Sequence, residues 1–121
     1  MLKDDLYIIK NISSEKNIIE AIIELNEEHE IFKGHFPDQP VLPGACMLQM
    51  IKEISATSLN KKLQLIKANE IKFLSMIQPA AEALHFSIQY KFTENASLNI
   101  SAKILLKDVV CCKMKGLFKA I

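Results

Sequence analysis

Phe32-Lys33-Gly34-His35-Phe36-Pro37-Asp38-Gln39-Pro40-Val41-Leu42-Pro43-Gly44 is the stretch that organises the chain. Pro37, Pro40 and Pro43 are three of the four prolines in the sequence, and Gly34 and Gly44, two of its three glycines, flank them. Each proline removes a backbone donor and pushes the residue before it towards an extended form, so this stretch cannot be regular helix. Helix follows at once. Ala45-Cys46-Met47-Leu48-Gln49-Met50-Ile51 is apolar on almost every side, and Ile54, Ala56 and Leu59 carry the pattern on until Asn60-Lys61-Lys62 stops it. A helix apolar all round is normally buried all round, and Gln49 is the only polar residue in that part.

Beyond the helix the hydrophobic period changes from helical to two. Leu84, Phe86, Ile88, Tyr90 and Phe92 alternate with His85, Ser87, Gln89 and Lys91, a half-buried strand. A turn over 93–97 leads to a second strand, with Leu98, Ile100, Ala102, Ile104 and Leu106 opposite Asn99, Ser101, Lys103 and Lys107. A third has Val110, Cys112, Met114 and Phe118 on one face and Lys113, Lys115 and Lys119 on the other. Three consecutive strands with short turns predict an antiparallel meander. Leu63 to Met76 reads as a longer strand with a weaker pattern. Ile18 to Leu25 fits a helix, with Ile18, Ile22 and Leu25 on one face. It also fits a strand, with Ile19, Ala21, Ile23 and Leu25 aligned, and its four isoleucines favour the strand without settling the matter.

The chain has 121 residues, half of them hydrophobic, enough for one core and too few for two comparable domains. Fifteen lysines and no arginine against 14 acidic residues leave a formal charge of +1, which argues against a nucleic-acid-binding protein. No run approaches the ~18 apolar residues of a membrane helix, and the acidic start Met-Leu-Lys-Asp-Asp does not read as a signal peptide. Three cysteines, Cys46 and the adjacent Cys111 and Cys112, make no disulfide framework. The expectation is a soluble, cytoplasmic protein.

The proline-spaced stretch resembles the active-site signature of hot-dog 3-hydroxyacyl-(acyl carrier protein) dehydratases: His-Phe-Pro, two residues, Pro, two residues, Pro-Gly, then a helix. Ile71-Lys72-Phe73 followed by Pro79 is similar to that family's next strand. The resemblance extends over most of the chain. It implies an α+β fold: a single hot-dog domain over 1–121, with a long central helix wrapped by a curved antiparallel sheet. On this reading Ile18 to Leu25 is a strand. It also implies a homodimer, or a higher oligomer built on it, joined edge to edge with active sites at the interface. It further implies an acyl carrier protein bearing a 3-hydroxyacyl chain as partner, and neither cofactor nor metal is expected.

The family's reaction takes a proton from C2 and protonates the departing 3-hydroxyl, leaving the 2-enoyl thioester. The resemblance assigns the motif histidine, His35, as base, and a Glu or Asp on the central helix of the partner subunit, five residues after the motif glycine, as acid. Here that position is Gln49. An amide can donate and accept hydrogen bonds but cannot deliver a proton at ordinary pH. His35 suits the base role because an imidazole titrates near ~6.5. Gly44 opens the helix, where free N–H groups would polarise a thioester carbonyl. Phe36, Pro43 and Cys46 complete the expected substrate-binding set. Glu53 lies one turn beyond Gln49, roughly 5–6 Å along the axis, and is not expected to replace the acid. His29 reads as part of a solvated acidic turn and His85 as surface. Cys111 and Cys112, on opposite faces of a strand, cannot hold one metal together.

Three functions fit these residues: an active dehydratase of a fatty-acid-like, aryl-polyene or flexirubin type of pathway; a non-catalytic acyl-binding homologue or heteromeric partner subunit; and a hot-dog thioesterase. The proline-spaced histidine loop counts against the last. Gln49 is the support for the second. Lys33, Lys61, Lys62, Lys67 and Lys72 are candidates for meeting an acidic carrier.

Overall fold

The computed structural model describes residues 1–34, 40–79 and 82–121. Six strands form one antiparallel sheet: β1 (Tyr7–Glu15), β2 (Ile18–Leu25), β3 (Leu63–Phe73), β4 (Leu84–Phe92), β5 (Ser97–Leu106) and β6 (Val109–Ala120). Their spatial order is β1-β2-β4-β5-β6-β3. Between β2 and β3 come a one-turn helix α1 (Ile31–Gly34) and the long helix α2 (Gly44–Leu59). Helix α2 touches β1, β2, β3 and β4, so the sheet curves around it.

The strand reading of Ile18 to Leu25 holds, because Ile19, Ala21 and Ile23 all point into the core while Ile22 and Glu24 face out. Lys16 and Asn17, both at positive φ, close a two-residue hairpin between β1 and β2. Met47, Met50, Ile51 and Ile54 of α2 are buried with Leu84, Phe86 and Ile88 of β4 and Leu98, Ile100 and Ile104 of β5. Asn60, in the left-handed region, caps the helix, and Lys61 N–H reaches Ala56 O at 3.1 Å.

Two sequence expectations change. Val110, expected on the core face of the third strand, is only half-buried, whereas Cys111 and Cys112 are both buried. The register of β5 against β6 shifts between Ile104 and Leu105, and this bulge turns Cys111 inward beside Cys112. The expectation that the two cysteines face opposite sides is therefore overturned. The strand expected over 63–76 ends at Phe73, where the Leu74 and Ser75 amides turn to the Cys111 carbonyl at 2.8 and 3.2 Å.

Among the described residues nothing pairs with the outer edge of β1 or of β3 along the sheet, and β3 is exposed along nearly its whole length. Ile66, Phe73, Leu74 and Met76 are large apolar side chains left in solvent along it. The outer face carries a cross-strand row of lysines: Lys103 lies opposite Lys113, and Lys113 opposite Lys72. Like charges directly opposed weaken a sheet. Glu70 is the acid that answers them, 3.1 Å from Lys72 and 3.9 Å from Lys115. The Lys72 ammonium, bonded to it, holds the exposed Glu70 carboxyl below the usual range.

Candidate active site

Pro43, extended at φ −64° and ψ 147°, ends the loop and opens α2. Its carbonyl accepts the N–H groups of Cys46 and Met47 at 3.1 and 3.2 Å, and among the described residues no side chain caps this end. Leu42 N–H is tied to Ile77 O at 2.7 Å, which anchors the loop's exit against the segment after β3. Gly44 leaves room here for an aromatic ring, the tip of a half-exposed side chain that a Cβ would push aside. A Cβ on it would lie 2.5 Å from Cζ of Phe73, whose ring covers the first turn of the helix. Cys46 is half-buried, and burial pushes its thiol pKa up. His35 and Phe36 lie outside the described residues.

Gln49 is where the helix becomes unusual. Its Nε2 donates to Oε2 of Glu53, one turn on, at 2.7 Å. The same oxygen accepts Leu2 N–H at 2.9 Å, while Oε1 accepts Lys3 N–H at 2.8 Å and the Tyr7 hydroxyl at 3.0 Å. Glu53 is 4% exposed, and among the described residues no cation lies within ion-pair distance of it. Burial alone would raise its pKa. The donors from Leu2, Gln49, Lys3 and Tyr7 outweigh that and hold the carboxyl below the usual glutamate range. Tyr7, buried against this anion, has its hydroxyl pKa driven well up by burial first and by Glu53 second. The result is a charged, four-bonded carboxylate that does not release or take a proton near neutrality.

Sequence reasoning set Glu53 aside for its distance along the axis, and the structure brings its side chain back to Gln49. The i, i+4 spacing was the available signal; nothing local marked Tyr7 or the Leu2 and Lys3 amides. An open hollow of about 670 Å³ runs along this side of α2, lined by Met1, Gln49, Glu53, Ala56, Leu63 and Ile121 among others. Lys33, Lys61, Lys62, Lys67 and Lys72 are all exposed.

The remaining candidates are structural. His29 accepts Ile31 N–H at Nδ1 (3.0 Å) and turns Nε2 to Asp5 (3.2 Å), bridging the first segment to α1. His85 pairs across the sheet with Glu20, which also accepts the Ser87 hydroxyl. Cys112 has its thiol pKa pushed up to about 11 by burial and then by Cys111. No group of three or more metal-ligating side chains occurs among the described residues. Nor is any helix among them long and apolar enough to cross a membrane.

One long helix inside a six-stranded antiparallel wrap, opened by a proline-glycine turn, defines a hot-dog protein. Solved structures agree on the fold. The chain matches the dehydratase heterocomplex ApeI:P from Xenorhabdus doucetiae with a TM-score of 0.73, at 21% identity, covering 91% of this chain and 96% of that one. A hypothetical thioesterase with coenzyme A from Streptococcus pneumoniae matches at 0.69 with 11% identity, covering 98% and 90%. The model of the ApeI-like family, described as ApeI dehydratase, matches residues 11–113, and the chain belongs to that family. Among curated relatives are proteins named 3-hydroxyacyl-(acyl carrier protein) dehydratase FabZ. That of Novosphingobium aromaticivorans is 21% identical over 104 residues, 79% of this chain and 66% of the relative. That of Oenococcus oeni is 27% identical over 79 residues, 60% and 55%. That of Rickettsia typhi is 25% identical over 114 residues, 88% and 73%. The chain thus spans between about half and three quarters of the length of these relatives.

Proposed function

We propose that the chain, as one domain over 1–121, removes water from a 3-hydroxyacyl thioester on an acyl carrier protein to give the 2-enoyl thioester. Membership of the ApeI-like dehydratase family is the observation that carries this reading. His35 takes the C2 proton and returns it to the leaving hydroxyl. Free N–H groups at Gly44, with Pro43 holding the turn, polarise the thioester carbonyl, and Phe36 and Cys46 border the acyl chain. Gln49 holds the hydroxyl or a water and supplies no proton. Glu53, kept ionised by its four donors, supplies none either. A missing acid costs about 10²–10⁴ in rate, so the reaction is slow or its substrate has an acidified C2 proton.

The lysine row over Lys72, Lys103 and Lys113 supports an acidic carrier as partner, and the apolar, unpaired β3 edge supports a homodimer. The proposed setting is the cytoplasm, which the three free thiols suit. A second reading has the chain as the partner subunit of a complete dehydratase. It is favoured by Gln49 and by a fold neighbour that is a dehydratase heterocomplex.

The test is incubation with a 3-hydroxyacyl carrier protein and mass spectrometry for loss of one water. Dehydration that His35→Ala abolishes, with the fold retained, upholds the first reading. Silence alone with dehydration restored by a co-expressed homologue upholds the second. Release of the free acid would show a thioesterase and refute both.

A further inference from the structure

We propose that the outer face of the sheet binds a chain of phosphates, a di- or triphosphate group, among Lys72, Lys103, Lys113 and Lys115. The inference does not rest on the dehydratase reading.

Strand register brings these side chains together. Ser87 of β4, Lys103 of β5, Lys113 of β6 and Lys72 of β3 stand opposite one another in one row. Two residues along each strand, Gln89, Ser101, Lys115 and Glu70 form the next row on the same face. Their neighbours Ala102, Ile104, Cys112 and Met114 are buried in the core, so the lysines point away from it. With strands ~4.8 Å apart and alternate residues ~6.8 Å apart along a strand, the four lysines spring from a patch of about 10 Å by 7 Å. Together with Glu70, Ser101 and Gln89 they border an open hollow of about 390 Å³.

The charge of this hollow is unbalanced. Glu70 is its one carboxylate among the described residues, and it serves Lys72 and Lys115 at 3.1 and 3.9 Å. Glu20, at the far end of the Ser87 row, is taken up by His85 and the Ser87 hydroxyl. Among the described residues Lys103 and Lys113 have no carboxylate within ion-pair distance. The fold thus sets ammoniums directly opposite one another, at a cost to the sheet that a bound anion relieves.

Several negative charges on one short chain answer four ammoniums set this close. Phosphate oxygens accept from lysine, from the Ser101 hydroxyl and from the Gln89 amide alike. A flat bilayer fits poorly, because the sheet curves around α2 and turns its convex side outward. A second hollow of about 630 Å³ shares Gln89, Ser101 and Lys115 and runs on to Asn17, Asn69 and Asn99, which gives a nucleoside at the end of the chain both room and amide partners. The carrier proposed above approaches the same row, so the two exclude one another.

The experiment is calorimetry on the full chain at a fixed ionic strength of ~0.1 M, where the Debye length is ~10 Å. The titrants are inorganic triphosphate, orthophosphate and ATP. Triphosphate is expected to bind one to one, at least tenfold tighter than orthophosphate. Lys103→Gln combined with Lys113→Gln removes two exposed ammoniums worth roughly 1.4- to fivefold each, so binding should weaken roughly two- to 25-fold. This variant also relieves the like-charge opposition, so its fold is not at risk. Lys10→Gln combined with Lys52→Gln, which lies away from the hollow, should change nothing. Backbone amide resonances of Ser101, Lys103 and Lys113 should shift on titration and those of α2 should not. ATP binding tighter than triphosphate upholds the site and identifies a nucleoside polyphosphate; equal binding upholds it for the phosphate chain alone. Triphosphate binding no tighter than orthophosphate, equal weakening in the two double variants, or shifts centred on α2 overturns the proposal.

Discussion

Gln49→Glu places a second carboxyl where the dehydratase resemblance expects an acid, and Glu53 decides what that carboxyl becomes. The two side chains meet at 2.7 Å. Two carboxylates at that distance repel by roughly 6 kcal/mol for an effective dielectric constant of ~20. Placing a proton on an ordinary glutamate, of pKa about 4.3, costs only about 3.7 kcal/mol at pH 7. Protonation is the cheaper relief, so the folded variant holds one proton between positions 49 and 53 at neutral pH, and the unfolded chain holds none. The folded-state pKa is thus raised, and stability falls as pH rises. Relative to wild type the loss grows by about 1.4 kcal/mol per pH unit from roughly pH 4.3, to near 3.7 kcal/mol at pH 7. Urea denaturation at pH 5, 6 and 7 measures it. Combining Gln49→Glu with Glu53→Gln exchanges the two ends of the bond, leaves one carboxylate, and should erase the slope. A stability gap between Gln49→Glu and wild type that stays constant over these pH values would refute the contact and the argument built on it.

Tyr7→Phe removes one of the donors on Glu53 and should cost about 1–3 kcal/mol in urea denaturation. Because the Glu53 pKa is held low in the fold, its contribution is present above about pH 4.3 and disappears as pH falls through the folded value. Acid titration of Glu53→Gln should accordingly show a shallower fall than wild type. Sedimentation should show a dimer or larger assembly, moving towards monomer when Leu74 and Met76 are both replaced by lysine; a wild-type monomer stable at micromolar concentration would count against the β3 edge as an interface. Carrier-protein binding should weaken in Lys113→Glu and with salt, as the Debye length shortens from ~10 Å at 0.1 M to ~3 Å at 1 M; binding indifferent to both would exclude the lysine row.

What could be read from residues alone follows the physics of each element. The helix after Pro43 and the alternation in β4 and β5 are local patterns, and the structure keeps them. Leu63 to Phe73 reads weakly because an edge strand exposed on both faces is under no demand to alternate. The inward turn of Cys111 depends on a register shift across two strands, which no spacing in β6 announces. Gln49 was visible as a lone polar residue in an apolar helix. The meaning of Glu53 was not, because its donors arrive from Leu2 and Lys3, about fifty residues earlier in the chain. Buried polar groups are settled by such distant partners, and single-residue reasoning prices them without their partners.

The lysine row has a consequence for the molecule as a whole. Residues 1–30, which build the β1–β2 edge, hold eight carboxylates and three lysines. The opposite side, β3, β5 and β6 with the turn between the last two, holds seven lysines and two carboxylates. A net charge of +1 therefore conceals an electric dipole running from one edge of the sheet to the other. Such a molecule behaves as nearly neutral only at long range. Within a Debye length it turns its cationic side to any anionic surface before touching it, so encounters are pre-sorted by orientation more than by rate of collision.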